Sequence, residues 1–222
     1  MALIRDSDQN FLREEFGKNL TETVEMIVFT SSNDSCQYCS ETVQLAEEVA
    51  SLSDKIRLTV LDFAKDRGKA DELGIDKYPS LVIFKDGDRN GRIRYSGIPS
   101  GYEFGSLIED IKMVSRNDAK ISAKAMEIIS KIDSPVRIKV YVTPTCPYCP
   151  RAVGTAHKFA LSNKNIVGEM VESSEFHAEA VEQGVTAVPH IVINGEIKFD
   201  GALPDVEFAE YVLEASGSNR TG

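Results

Sequence analysis

The sequence predicts an α/β protein made of two copies of one unit, each ordered αβαβαββα. Three observations predict it. Apolar, β-branched runs of strand length alternate with amphipathic runs of helix length along the chain. The pattern Cys-x-x-Cys occurs twice, at Cys36-Gln37-Tyr38-Cys39 and Cys146-Pro147-Tyr148-Cys149, and it accounts for all four cysteines. A shift of 110 residues carries Cys36, Tyr38, Cys39, Gly74 and Pro79 onto Cys146, Tyr148, Cys149, Gly184 and Pro189. The same shift carries Asp62 onto Glu172, another acid, and Leu81 and Ile83 onto Ile191 and Ile193. Ahead of the cysteines the offset is 112, because the first half has the longer loop there. Identities in register at thiol, turn and proline positions mark an internal repeat. The units are residues 1–117 and 118–222, joined near Arg116-Asn117-Asp118.

In the first unit, Phe11, Leu12, Phe16 and Leu20 recur at helical spacing over residues 6–20, with Asp6 or Ser7 as N-cap. Val24 to Thr30 reads as a strand. The polar loop Ser31-Ser32-Asn33-Asp34-Ser35 delivers Cys36 to the start of a helix ending near Ser51. Ile56 to Leu61 is the next strand and ends at Asp62. Residues 66–73 are a short helix closed by Gly74. Tyr78-Pro79 breaks the chain before the strand Leu81 to Phe84. Lys85-Asp86-Gly87-Asp88 turns it, and Arg92 to Tyr95 returns. After Gly97, Tyr102 to Val114 is an amphipathic helix.

The second unit repeats this order. Ile121, Ala125, Ile128, Ile129 and Ile132 form a helix that Ser134-Pro135 ends. Arg137 to Thr143 is a strand, and a helix runs from Cys146 to about Ser162. Val167 to Val171 is a strand, and residues 175–183 are a short helix closed by Gly184. Val188-Pro189 precedes the strand Ile191 to Ile193. Asn194-Gly195 is a hairpin turn, Ile197 to Phe199 returns, and Val206 to Ala215 is the last helix. The tail from Ser216 to Gly222 reads as frayed.

At 222 residues the chain has room for one large domain or two small ones. With 42% hydrophobic and 27% charged residues it matches soluble globular proteins, and it needs no disulfide to build a core. The net charge of −10 divides as −6 on residues 1–117 and −4 on 118–222, so it is spread rather than held in a tail. The sequence has no Lys/Arg run, which argues against nucleic acid and anionic membrane as partners. The first residues turn polar at once, unlike a signal peptide, and no apolar stretch approaches the length of a membrane span. These features predict a cytoplasmic protein. There, paired Cys-x-x-Cys motifs point to metal binding or redox catalysis rather than structural bridges.

Thiol-disulfide exchange needs a thiolate, and a free cysteine is mostly protonated at neutral pH. A helix N-terminus lowers the thiol pKa, because its unpaired N–H groups and dipole favour negative charge. A second cysteine three residues on reaches the first but is poorly exposed to substrate. Cys36 and Cys146 are therefore the expected nucleophiles, and Cys39 and Cys149 the expected resolving thiols. Local charge predicts the more acidic thiol at Cys146, which has Arg151 nearby, whereas Cys36 has Asp34 and Glu41.

A Cys-x-x-Cys at a strand-to-helix junction, a proline 43 residues after the first cysteine, a hairpin, a glycine and a closing helix together resemble the thioredoxin fold. Doubled, with both pairs kept, the chain is similar to the protein disulfide oxidoreductases of thermophilic archaea and bacteria, a glutaredoxin-like family. Thr143-Pro144-Thr145-Cys146-Pro147-Tyr148-Cys149-Pro150 is close to their C-terminal site, and Cys36-Gln37-Tyr38-Cys39 to their N-terminal one. The resemblance spans about residues 5–215. It implies two tandem thioredoxin-like units, each a mixed sheet flanked by helices. It implies that Pro79 and Pro189 are cis, and that the backbone at Tyr78-Pro79 and Val188-Pro189 pairs with an extended substrate segment. It also implies dithiol-disulfide exchange on protein substrates. Electrons would come from a thioredoxin-reductase-like flavoprotein using NADPH, with a peroxiredoxin as a further partner. Typical thioredoxins carry a buried acid six residues before the first cysteine. Here Thr30 and Val140 stand there. Asp62 and Glu172 are the substitutes for proton transfer.

Four cysteines in two pairs also suit a structural zinc site. Against it, the pairs are separated by 106 residues and each opens its own helix. One pair, more readily Cys36/Cys39, could be a silent passenger. A dedicated electron relay is the nearest redox rival, since the chain also resembles the doubled module at the head of bacterial peroxide-reductase flavoproteins. That module normally keeps one Cys-x-x-Cys, and this chain keeps two. Tyr38 and Tyr148 read as exposed aromatics in a helix turn, with substrate contact as the alternative. His190 follows Pro189, while His157 and His177 fall in helices as surface residues, and none sits as a cysteine's catalytic base. No phosphate-binding motif is visible, so NADPH or flavin is not expected to be held by this chain.

Overall fold

The computed structural model describes residues 2–32, 36–88 and 91–217. The loop residues Asn33, Asp34 and Ser35, and the tail from Ser218, lie outside the described residues. The first unit runs α1 (Asp6–Asn19), β1 (Val24–Thr30), α2 (Cys39–Ala50), β2 (Ile56–Asp62), α3 (Arg67–Glu72), β3 (Ser80–Lys85), β4 (Ile93–Ser96) and α4 (Tyr102–Arg116). The second runs α5 (Ala123–Ile129), β5 (Val136–Val142), α6 (Cys149–Ser162), β6 (Ile166–Glu172), α7 (His177–Gln183), β7 (His190–Ile193), β8 (Ile197–Asp200) and α8 (Asp205–Ala215). The order is the one the repeat predicts.

Three kinds of boundary differ. Helix α1 already includes Asp6 and Ser7, and Arg5 stands at its N-cap. Helix α5 is shorter than predicted, because Ser122 caps it by accepting Ala125 N–H at 3.2 Å and leaves Ile121 outside. The helices α2 and α6 begin at the second cysteine of each motif rather than the first. The earliest bond of α2 is Thr42 N–H to the Tyr38 carbonyl, 2.9 Å. In α6, Pro147 and Pro150 have no N–H to give. Cys36 and Cys146 therefore sit in the turn leading into each helix.

The strands form one mixed sheet in the order β2-β1-β3-β4-β6-β5-β7-β8. Each unit contributes the same four-strand pattern. The units join where β4 pairs in parallel with β6, from Ile93 opposite Gly168 to Ser96 opposite Val171. β1, β4, β6 and β5 all point the same way. The C-terminal ends of β1 and β5, which lead to the cysteines, therefore share one edge of the sheet. They lie four strand spacings apart, about 19 Å. That separation removes the zinc reading, since four sulfurs so placed cannot share one tetrahedral ion.

Alternating side chains divide the core. On one face Met26, Val28, Ile138 and Val140 join a single core with α1, α2, α4, α5, α6 and α8. On the other face α3 covers Ile27, Phe29 and Val82, and α7 covers Tyr141, Val171 and Val192.

The head-to-tail arrangement makes the units unequal. β2 is an outer edge, whereas its counterpart β6 is interior. α6 is packed closely by α4, and among the described residues α2 has no helix packed as closely on it. His157 on α6 is consequently not a surface residue, as its helical placement suggested, but wholly buried. Its Nδ1 lies 2.5 Å from Asp110 of α4 and its Nε2 lies 3.2 Å from the Arg94 carbonyl. Tyr95 of β4 donates its hydroxyl proton to the same Asp110 oxygen. This buried cluster ties the two units together.

Candidate active sites

Cys36–Cys39 and Cys146–Cys149 are joined as disulfides, with Cα separations of 5.6 and 5.5 Å. The second cysteine of each pair is buried, and Cys36 is half-buried. Cys149 N–H donates to Cys146 Sγ at 3.1 Å. It is one of the N–H groups a helix start leaves without an internal partner, aimed at the atom that would carry the thiolate charge. Cys146 Sγ also lies 3.7 Å from the Val188 carbonyl oxygen, so the residue before Pro189 borders the sulfur. The Tyr78–Pro79 and Val188–Pro189 bonds are both cis. Gly97 N–H donates to the Pro79 carbonyl at 2.9 Å, and Gly201 N–H to the Pro189 carbonyl at 2.8 Å. Each hairpin thus closes on its proline. The Tyr78 ring packs on Phe63, and Tyr148 stands 70% exposed beside the second dithiol.

The two acids named for proton transfer are first of all turn caps. Asp62 Oδ1 accepts from Ala64 and Lys65 N–H at 3.1 and 3.0 Å. The Lys65 N–H is the main reason its carboxyl lies below the usual range. Held as an anion by its own turn, Asp62 is poorly suited to carry a proton. Glu172 Oε2 accepts Glu175 N–H at 2.7 Å, the same cap one unit later. Glu172 differs in being buried, with Oε1 lacking a partner. The edge position of β2 and the interior position of β6 account for the contrast.

Sequence reasoning missed Glu103, in the first turn of α4. The helix starts hard against the second site. Tyr102 N–H donates to the Pro144 carbonyl at 3.1 Å, two residues before Cys146. Gly101, at φ +60°, is required there, since a Cβ would collide with that carbonyl. α4 and α6 then run side by side, with Gly105 and Ser106 facing Pro150 and Gly154 across a shallow cleft. Glu103 is 1% exposed, accepts Ser106 Oγ–H at 2.6 Å through Oε2, and leaves Oε1 buried without a partner. Burial pushes its carboxyl up to about 7, against the Ser106 hydrogen bond. The glycine at 101, where the second unit has Asp205, is the one signal in the sequence. Nothing in it said what α4 would pack against.

The second unit in turn holds the first site. Lys77, next to Tyr78-Pro79, reaches Glu179 at 2.5 Å and Glu169 at 3.6 Å. Burial alone would lower its pKa, but the Glu169 and Glu179 carboxylates raise it. Burial would likewise raise Glu179, yet hydrogen bonds from Lys139, Lys77 and Tyr141 bring it down to about 2. Glu175 accepts Ile98 N–H at 2.6 Å, and its carboxyl is pushed up to about 7 by burial and then by Glu172 and Glu41. Among the described residues no group of three or more His, Cys, Asp or Glu side chains is placed to hold a metal, and no helix is long and apolar enough to cross a membrane.

Comparison with known proteins gives concordant matches. A thioredoxin family model matches residues 9–109, and a thioredoxin domain model matches residues 136–214. The structure of a protein disulfide oxidoreductase from Aeropyrum pernix superposes with a TM-score of 0.88 at 30% identity, covering 96% of this chain and 93% of that one. The structure of AhpF, a component of alkylhydroperoxide reductase from Enterococcus faecalis, superposes with a TM-score of 0.83 at 30% identity, covering 94% of this chain and 99% of that one. Among curated proteins, the corresponding AhpF component of alkyl hydroperoxide reductase in Staphylococcus aureus is 27% identical over 180 residues, 81% of this chain. A Bacillus subtilis protein named NADH dehydrogenase is 28% identical over 178 residues, 80% of this chain. The chain spans 32% of the length of each of these two curated relatives.

Proposed function

The chain belongs to the protein disulfide oxidoreductase family of tandem thioredoxin-fold proteins, and on that premise we propose that it reduces, forms or rearranges disulfides in protein substrates through both Cys-x-x-Cys sites. The observation that carries this reading is the second site. There a helix-start N–H points at Cys146 Sγ and the backbone of Val188 borders the same sulfur.

In the reductive direction the Cys146 thiolate attacks one sulfur of a substrate disulfide. A mixed disulfide forms and the other substrate sulfur leaves as a thiolate. The Cys149 thiol loses its proton and attacks Cys146 Sγ. The Cys146–Cys149 disulfide closes, and the second substrate sulfur leaves. Two electrons pass from the dithiol to the substrate. Glu103 is proposed to take the Cys149 proton: its helix starts against Pro144, it is buried with Oε1 lacking a partner, and its carboxyl is pushed up to about 7. Extended substrate pairs with the backbone at Tyr78-Pro79 in the first site and Val188-Pro189 in the second. A flavoprotein reductase drawing on NADPH restores the dithiols.

The test is dithiothreitol-driven reduction of insulin by wild type, Cys36→Ser and Cys146→Ser. The expected result is that each variant keeps part of the turnover, with Cys146→Ser losing the larger share and Cys36→Ser leaving much of it. Wild type no faster than dithiothreitol alone overturns the reading. The likeness to AhpF supports a second reading, in which the chain relays electrons to a peroxiredoxin. A relay would reduce that partner's disulfide far faster than insulin.

A further inference from the structure

The segment Gly97-Ile98-Pro99-Ser100-Gly101 runs between the two sites and is fastened at both ends. At one end Gly97 N–H bonds the Pro79 carbonyl, and at the other Tyr102 N–H bonds the Pro144 carbonyl. Its middle is held by the half-buried Glu175 of the second unit, through Ile98 N–H at 2.6 Å. Residue 97 must be glycine for that carboxylate to reach. A Cβ there would stand 2.7 Å from Glu175 Oε1 and 2.6 Å from Glu172 Cβ. Glu175 touches neither dithiol pair in the hydrogen-bond network, so its influence on chemistry would pass through the backbone it fixes. Ile98 N–H would otherwise be a part-buried donor without this acceptor.

We propose that Glu175 is a positioning residue for the first dithiol site: by accepting Ile98 N–H it fixes the Gly97-Ile98 backbone beside Pro79, against which a protein substrate of Cys36 docks. The inference rests on the protein-substrate reading above. It makes the first site a composite of both units, with its platform set by a residue that lies in the other half of the sequence.

The test separates the sites. Paired serine replacements of Cys146 and Cys149 leave the first site alone, and paired replacements of Cys36 and Cys39 leave the second. Into each background go Glu175→Asp, which keeps the carboxyl but shortens the reach, and Glu175→Gln, which keeps a carbonyl acceptor at full reach. In the first-site background Glu175→Asp should raise KM for insulin by about fivefold, the size of one lost hydrogen bond, with kcat little changed. Glu175→Gln should restore most of the affinity. In the second-site background both variants should leave KM within about twofold. An unchanged KM for Glu175→Asp, an equal rise in both backgrounds, or a loss confined to kcat overturns the proposal. If the first-site parent itself never reduces insulin, the protein-substrate reading fails at that site and this inference falls with it.

Discussion

Glu103 is a buried carboxyl whose ionisation works against the stability of the fold. Its value of about 7 in the folded chain lies above the ordinary 4.5, so folding favours the protonated form. The stability it contributes is present below about pH 4.5 and is lost as pH rises through 7. Glu103→Gln, which does not titrate, should therefore gain on wild type between pH 5 and pH 8, by at most about 3 kcal/mol. Urea midpoints at the two pH values would show it. If Glu103 also takes the Cys149 proton, the same variant should slow second-site turnover by about tenfold or more and remove the pH–rate limb near 7. A variant more stable but equally fast would assign Glu103 no part in proton transfer.

At the scale of elements, the start of α4 matters more than its length. The helix is aimed by the close approach of Gly101 to the Pro144 carbonyl, and that approach sets Glu103 in place. Gly101→Ala adds a Cβ at a positive φ against a backbone carbonyl, so no side chain can swing aside. The expected cost is about 1–3 kcal/mol, read as a lower denaturation midpoint, with second-site turnover falling more than first-site turnover. Element type and order were readable from the sequence because periodicity, Gly74, Gly184 and the Asn194-Gly195 turn all agreed. The starts of α2 and α6 were not, since motif spacing does not say which N–H makes the first helical bond.

The whole molecule is one sheet and, on its helix-rich face, one continuous core. We therefore expect a single unfolding transition in urea by fluorescence and circular dichroism together, rather than one per unit. Asp110 accepts the Tyr95 hydroxyl and lies against His157 Nδ1 across the junction. Asp110→Ala should cost about 2–6 kcal/mol, because it leaves the buried Tyr95 hydroxyl and the His157 ring without their shared partner. Two well-separated transitions in wild type would refute this account of the junction.

The residue sequence by itself determined the repeat, the order of elements, both dithiols and the two prolines. Those features are written in local spacing and in residues with special backbone chemistry, so each copy carries them alone. The tertiary structure decided which copy is covered. Glu103 and Glu207 occupy matching first turns four residues before Leu107 and Tyr211, yet one is buried and the other exposed. Asp62 and Glu172 cap matching turns, yet only Glu172 is enclosed. His157 is buried where its counterpart Glu47 faces solvent. The reason is the same in each case. Laying two like units head to tail puts β4 against β6 and α4 against α6, so environment, and with it acidity, depends on which neighbour the chain supplies.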